Sequence, residues 1–135
     1  MRHALVDLGE INAIGNHPTG RTWRVGLLPP GTTRRPSTAV PVVDAAVATS
    51  GHDGSHFDIP GRFSHILDPR TGRPSTRPGN VSVVAGSAAL ADGLSTAALT
   101  LTDDGIRRML GTFPASVAYR TERDGSVRRL TATPA

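Results

Sequence analysis

Polar and apolar positions alternate with a period of two along several short stretches of the chain, and the period lengthens to that of an amphipathic helix in only one region. Residues 4–8 read as a strand that stops at Gly9. Residues 21–28 place Trp23, Val25 and Leu27 on one face and Arg24 on the other, which predicts a half-buried strand with Trp23 in the core. The turn composition of 16–20 makes a hairpin between this strand and the stretch before it the expected pairing. The Pro/Gly-rich segment 29–38 is a loop, because two prolines and a glycine block any ladder, and Arg34 and Arg35 within it either stay solvated or meet a phosphate. Val40 to Val43 is a short apolar run interrupted by Pro41, and residues 45–49 predict a buried strand ending at Ser50 and Gly51. His52 and His56 have the spacing of zinc ligands on a helix, but Asp53-Gly54 between them signals a turn. The segment is expected to be a hairpin loop joining a strand at Val47 to one at Phe63.

The stretch Arg62-Phe63-Ser64-His65-Ile66-Leu67-Asp68-Pro69-Arg70-Thr71-Gly72 reads as a strand running into a tight turn. Alternation puts Phe63, His65 and Leu67 on one face and Ser64, Ile66 and Asp68 on the other. In the turn, the Asp68 side chain can cap backbone amides, Pro69 fixes its own φ, and Gly72 tolerates a positive φ at the exit. A histidine at a strand end beside a carboxylate, an arginine and a hydroxyl suits handling phosphate, and the same residues also make an ordinary strand and turn. The polar segment 73–80 is a further Pro/Gly loop of the kind that often contacts a ligand. Residues 81–85 predict a strand with Val81, Val83 and Ala85 on one face.

The helical period appears at Leu90, Leu94, Ala97, Ala98 and Leu101, with Ser87 as N-cap. Asp92 and Thr96 lie four apart on one side of this helix, away from Leu90, with Ser95 beside them. A carboxylate and a hydroxyl on one face suit a hard cation such as magnesium, although many solvated helix faces carry the same pair. Gly93 inside the helix costs about 1 kcal/mol relative to alanine. Asp103 is expected to cap a second helix over 104–110, closed by Gly111, with Ile106 and Leu110 inward and Arg107 and Arg108 near its negative end. Asp124-Gly125 between residues 117–120 and 127–130 predicts a hairpin. The pattern as a whole predicts an α+β fold, an antiparallel sheet with one or two helices packed on it. It forms one domain over 1–130, with a frayed tail at 131–135.

Composition changes this picture in three respects. Aromatic residues make up 4 % of the chain, so the core must be built from Val, Leu, Ile and Ala. There is no cysteine, which excludes disulfides and thiolate metal sites. The net charge of +4 comes from arginine with no lysine, a balance that attracts an anionic ligand such as a nucleotide. Nucleic acid is not the expected partner, because the arginines are scattered and few aromatics are present for base stacking. No apolar run is long enough to span a bilayer. Residues 1–7 lack the apolar core of a signal peptide, so the chain as written is expected to be cytoplasmic.

Three motifs carry a family resemblance. The run Phe63 to Gly72, the upstream Ala48-Thr49-Ser50-Gly51 and the downstream Ala91-Asp92-Gly93-Leu94-Ser95-Thr96-Ala97 resemble, in order and spacing, the signatures of the FAD:protein FMN transferase family, also called the ApbE family. The likeness runs from about Leu5 to Gly111, with Gly9-Glu10 where many members carry two adjacent glycines. It implies the C-terminal part of that fold, in a magnesium-dependent enzyme. Such an enzyme cleaves the pyrophosphate of FAD and joins FMN through its phosphate to a Ser or Thr hydroxyl in a motif of a target flavoprotein.

The resemblance also implies roles for particular residues. Thr49, Ser50, His65, Ile66, Leu67 and Arg70 would lie at the flavin nucleotide. His65 would orient phosphate or take a proton, and Arg70 would neutralise phosphate charge or only decorate the turn. Asp92 and Thr96 would hold the metal, with Ser95 ranked after them. Members of the family are more than twice this length and are often exported or membrane-anchored. The preceding half supplies much of the flavin pocket, including a backbone metal ligand. Three forms of the protein are therefore expected: an inactive fragment, an enzyme completed by a second chain or by a homo-oligomer, or a non-catalytic flavin- or nucleotide-binding module.

Overall fold

A computed structural model describes residues 2–32, 35–52 and 63–133. Its centre is a pair of antiparallel strands, β5 (Ala45–Ser50) and β8 (Asn80–Ala85), in the register Ala46 to Ala85 through Ser50 to Val81. Both strands are apolar on both faces, as a strand covered from two sides must be. Ala46, Ala48, Val81, Val83 and Ala85 face two helices, α1 (Ala88–Leu99) and α2 (Asp103–Thr112). Val47 points the other way, onto a separate two-stranded sheet of β3 (Trp23–Leu27) and β4 (Thr38–Val42).

The main sheet is completed by β1 (Ala4–Asp7) and β2 (Ile11–Ile14) on one side. On the other stand β9 (Val117–Thr121) and β10 (Val127–Leu130), giving the order β1-β2-β5-β8-β9-β10, antiparallel throughout. The fold is α+β in three layers: helices, six-stranded sheet, small sheet. Among the described residues no helix is long and apolar enough to cross a membrane.

Several expectations change in the structure. Strand β3 pairs with β4, Trp23 opposite Val42, and not with the strand ahead of it; β2 lies between β1 and β5. Turn residues at 16–20 fix a reversal but not which strand is met after it. Pro41 sits within β4 opposite Arg24, tolerated because each strand of a two-stranded sheet keeps one open edge. Trp23 packs against the apolar cluster between the two sheets, with His17 edge-on at 4.8 Å. Strand β5 is flanked by β2 and β8, not by a strand at Phe63. The region of Phe63 is instead a short arm ending in β6 (Leu67–Asp68), which pairs across the 68–72 turn with β7 (Arg73–Pro74), the start of the expected loop. His56 lies outside the described residues.

Helix α1 begins as expected, with Ser87 Oγ accepting from the Leu90 amide at 3.3 Å. Its buried stripe is Ala91, Leu94, Ser95, Ala98 and Leu99, rotated from the expected one; Ala97 is exposed and Leu101 lies beyond the end. Three of its five residues, Ala91, Ser95 and Ala98, are small, which lets the helix lie close to the alanines of β5. Thr102, not Asp103, caps α2, accepting from the Gly105 amide at 3.1 Å, and Gly111 lies inside the helix. Ile106 and Leu110 are fully buried. The β9–β10 hairpin around Asp124-Gly125 forms as read. In the tail, Ala132 packs on the helix-side core, and residues 134–135 lie outside the described ones.

Candidate functional site

At one end of the central strand pair the chain opens a cleft of about 420 Å³. Thr49, Ser50 and Gly51 supply the floor from the end of β5, and Asn80 joins them from the start of β8. Helix α1 contributes Asp92 and Thr96, and the arm after residue 62 contributes His65 and Ile66. Alternation along the arm orients His65. Ser64 and Ile66 are buried, which turns His65 outward along the cleft. Ser64 Oγ accepts the Ile66 amide at 3.2 Å, and the Ile66 carbonyl accepts the Ser75 amide at 2.9 Å, so both neighbours of His65 are fixed. Gly51 is required by contact: a Cβ there would overlap the Asn80 side chain.

Hydroxyls lie on both faces of the β5–β8 pair. Thr49 Oγ1 and Ser82 Oγ are 2.7 Å apart across the β5–β8 pair. Ser50 faces the helix, 2.8 Å from Ser95 Oγ and 3.1 Å from Thr96 Oγ1. Asp92 is exposed at the rim, and Thr96, one helical turn on, is half-buried. Among the described residues no three His, Cys, Asp or Glu side chains cluster as a metal site. The donors present are one carboxylate and a hydroxyl, both oxygen. They fit a hard cation that keeps several waters, such as magnesium, and do not fit zinc. A second cleft, also of about 420 Å³, lies beside the first and shares Thr49 and Asn80 with it. The Asn80 amide nitrogen donates to the Leu28 carbonyl at 3.2 Å between them.

Six of the residues singled out in the sequence thus border one cleft: Thr49, Ser50, His65, Ile66, Asp92 and Thr96. Three do not. Ser95 is fully buried beneath it, its hydroxyl donating to the Asp92 main-chain carbonyl at 3.0 Å. Leu67 is exposed in β6, away from the lining. Arg70 grips Asp68 through Nε at 2.9 Å and Nη2 at 2.7 Å, and Nη2 also donates to the Thr100 carbonyl at 2.9 Å. Arg77 Nε reaches the same carbonyl at 3.1 Å, and Ser75 Oγ donates to the Leu99 carbonyl at 2.9 Å. Helix α1 has no basic residue in its last turn, so these arginines supply the positive charge its C-terminal end favours. Arg70 therefore fastens the turn to α1 and does not reach the cleft. Asn80 is the lining residue the sequence reading missed; its only signal is a polar side chain opening an apolar strand.

The hydrogen bonds from the Arg70 side chain and backbone amide pull the Asp68 carboxyl from its ordinary 3.8 down to about 2. A folded value below the unfolded one means the contribution is complete above about pH 4 and is lost as pH falls toward 2. Acid unfolding followed by circular dichroism should therefore show a shallower loss of stability across this window for Asp68→Asn than for the parent. Parallel curves would remove Asp68 from the acid response.

An antiparallel sheet backed by two helices, with a hydroxyl- and carboxylate-lined cleft at the strand ends, defines a small α+β unit with a polar cleft. The family model described as "ApbE family" matches residues 1–120. The chain is 40 % identical over 97 residues to the FAD:protein FMN transferase of Chlamydia pneumoniae, covering 68 % of this chain and 29 % of that protein. It is 37 % identical over 137 residues to the FAD:protein FMN transferase of Treponema pallidum, covering 93 % and 38 %. Among solved structures, the ApbE protein of Thermotoga maritima superposes with a TM-score of 0.76 at 29 % identity, over 95 % of this chain and 42 % of that one. The apo flavinyl transferase ApbE of Pseudomonas stutzeri superposes with a TM-score of 0.66 at 28 % identity, over 98 % and 40 %. The chain belongs to the ApbE family, and it spans between 29 % and 38 % of the length of these two curated relatives.

Proposed function

We propose that this chain carries the reacting end of an FAD:protein FMN transferase, which moves FMN from FAD to a Ser or Thr hydroxyl of a flavoprotein. The observation that supports the reading is the meeting of His65, on the arm, with Asp92 and Thr96, on α1, around one cleft. In this reading Asp92 and Thr96 hold magnesium. Bound there, the ion would supply charge neutralisation for the diphosphate and for the AMP leaving group. His65 takes the proton from the acceptor hydroxyl at its imidazole nitrogen. The hydroxyl oxygen bonds to the FMN phosphorus, and the bond from that phosphorus to the bridging oxygen breaks, so AMP leaves with the oxygen. Thr49, Ser50 and Asn80 donate or accept along the floor, and the adjoining cleft gives an extended dinucleotide room beyond the diphosphate.

The fraction of the relatives' length that the chain spans favours a second reading, a flavin-binding module without turnover. One assay separates the two. The chain is incubated with FAD, magnesium and an acceptor flavoprotein, with and without the preceding part of a relative, and AMP is measured chromatographically beside flavin fluorescence. AMP and covalent flavin are expected when the preceding part is supplied. Quenched flavin with FAD left intact in both mixtures would establish the module. Fluorescence unchanged in both would sink the flavin assignment altogether.

A further inference from the structure

The three hydroxyls beneath the cleft form a chain whose direction follows from counting protons. Ser95 Oγ donates to the Asp92 main-chain carbonyl, which can only accept. That contact uses the single hydroxyl proton of Ser95, so toward Ser50 it accepts, and Ser50 Oγ is the donor across their 2.8 Å contact. The proton of Ser50 is then committed as well, so in the 3.1 Å contact Thr96 Oγ1 donates to Ser50 Oγ. The order runs from Thr96 through Ser50 and Ser95 to the carbonyl of Asp92. Thr96 thereby turns its proton away from the cleft it lines and keeps its lone pairs for whatever occupies that cleft.

We infer that Ser50 and Ser95 are positioning residues for a divalent cation at Asp92 and Thr96: they force the Thr96 hydroxyl to act as an acceptor only. The inference rests on the cation reading above and adds a reason for two hydroxyls that a packed seam does not need. Ser95 is fully buried, so it works through Thr96 and not as a ligand. Its chain ends on the main-chain carbonyl of Asp92, the residue whose side chain is the other ligand. Hydrogen bonds in such a chain polarise one another, which raises the negative character of the Thr96 oxygen. Without Ser95, the Ser50 proton is free to turn to Thr96 and occupy a lone pair that the cation needs.

The test is titration of the purified 135-residue chain with manganese, read by paramagnetic resonance of the free ion, with the thermal midpoint measured on each protein. Ser95→Ala and Ser50→Ala should each weaken manganese binding by about 10-fold, the usual effect of losing a partner that orients a metal ligand. Ser50→Thr, which keeps the hydroxyl, should restore most of the affinity. The double alanine variant should bind no more weakly than the worse single one, because both act through one chain. If Ser95→Ala lowers the thermal midpoint and leaves manganese affinity at the parental value, the serines only join helix to sheet and the inference is wrong. A parent that takes up no manganese even with the preceding part of a relative supplied, or an Asp92→Asn chain that binds as well as the parent, overturns the cation reading itself and the role of the serines with it.

Discussion

Replacing Arg120 with alanine should lower the thermal midpoint by roughly 10–20 °C, from a loss of about 3–5 kcal/mol at about 3–4 °C per kcal/mol for a domain of this size. Arg120 is 3 % exposed, on a strand that packs beneath the helices. Its guanidinium donates to Asp103 Oδ1 at 2.9 Å, to the Leu101 carbonyl at 2.9 Å and to the Pro78 carbonyl at 3.2 Å. One side chain thus ties together the first turn of α2, the connection between the helices and the segment leading into Asn80. Alanine removes the charge and leaves a carboxylate and two carbonyls short of partners in a poorly hydrated place. Asp103 keeps some compensation from Arg128 Nε at 3.3 Å, where both groups are more exposed. Arg120→Lys should recover only part of the loss, since an ammonium cannot present the fixed fork that meets three acceptors in different directions. Calorimetry of the three proteins decides the matter. A midpoint within about 3 °C of the parent for Arg120→Ala would show that this junction contributes little to stability.

Asp92→Asn should abolish divalent-cation binding while barely changing the fold. Asp92 is exposed at the cleft rim and lies outside both core clusters, so stability should shift by no more than about 0.5 kcal/mol. The amide matches the carboxylate in volume and differs in charge. Among the described residues it is the only carboxylate lining the cleft, so no second one of them can replace it. A loss on the order of 100-fold or more in manganese affinity is expected, at or beyond the top of the range seen for partners that only orient a ligand. In the AMP-release assay the same variant should be inactive under conditions where the completed parent turns over. Unchanged affinity would move the cation elsewhere and leave the hydroxyl seam without a ligand to serve.

What the sequence disclosed depended on whether the signal was local. Val81, Val83 and Ala85 alternate within one strand, and Asp124-Gly125 closes a hairpin on itself, so both are read from neighbours alone. The small β3–β4 sheet could not be read this way: Trp23 meets Val42 across a long connection, and nothing at 16–20 marks that partner. Helix α1 was found but rotated, because its sheet-facing residues Ala91, Ser95 and Ala98 are small and carry weak hydrophobic contrast. Thr102 and Asp103 are both good caps and adjacent, so the choice between them fell to the chain's path. At the cleft, spacing alone put Asp92 and Thr96 on one side of a helix, and only the family resemblance joined them to Thr49, Ser50 and His65, which lie far off in sequence. Of the two roles open to Arg70, the sequence could not choose, because a guanidinium beside a phosphate-handling motif looks the same whether it turns toward the ligand or toward a helix end.

The arm bearing His65 and the helix bearing Asp92 are riveted together at the end remote from the cleft mouth, where Arg70, Arg77 and Ser75 hold the carbonyls of Thr100 and Leu99. Two jaws pinned in this way cannot spread by swinging the arm without breaking charge-assisted bonds at the pin. The gauge of the gap is consequently set from behind, by groups that never meet whatever enters it.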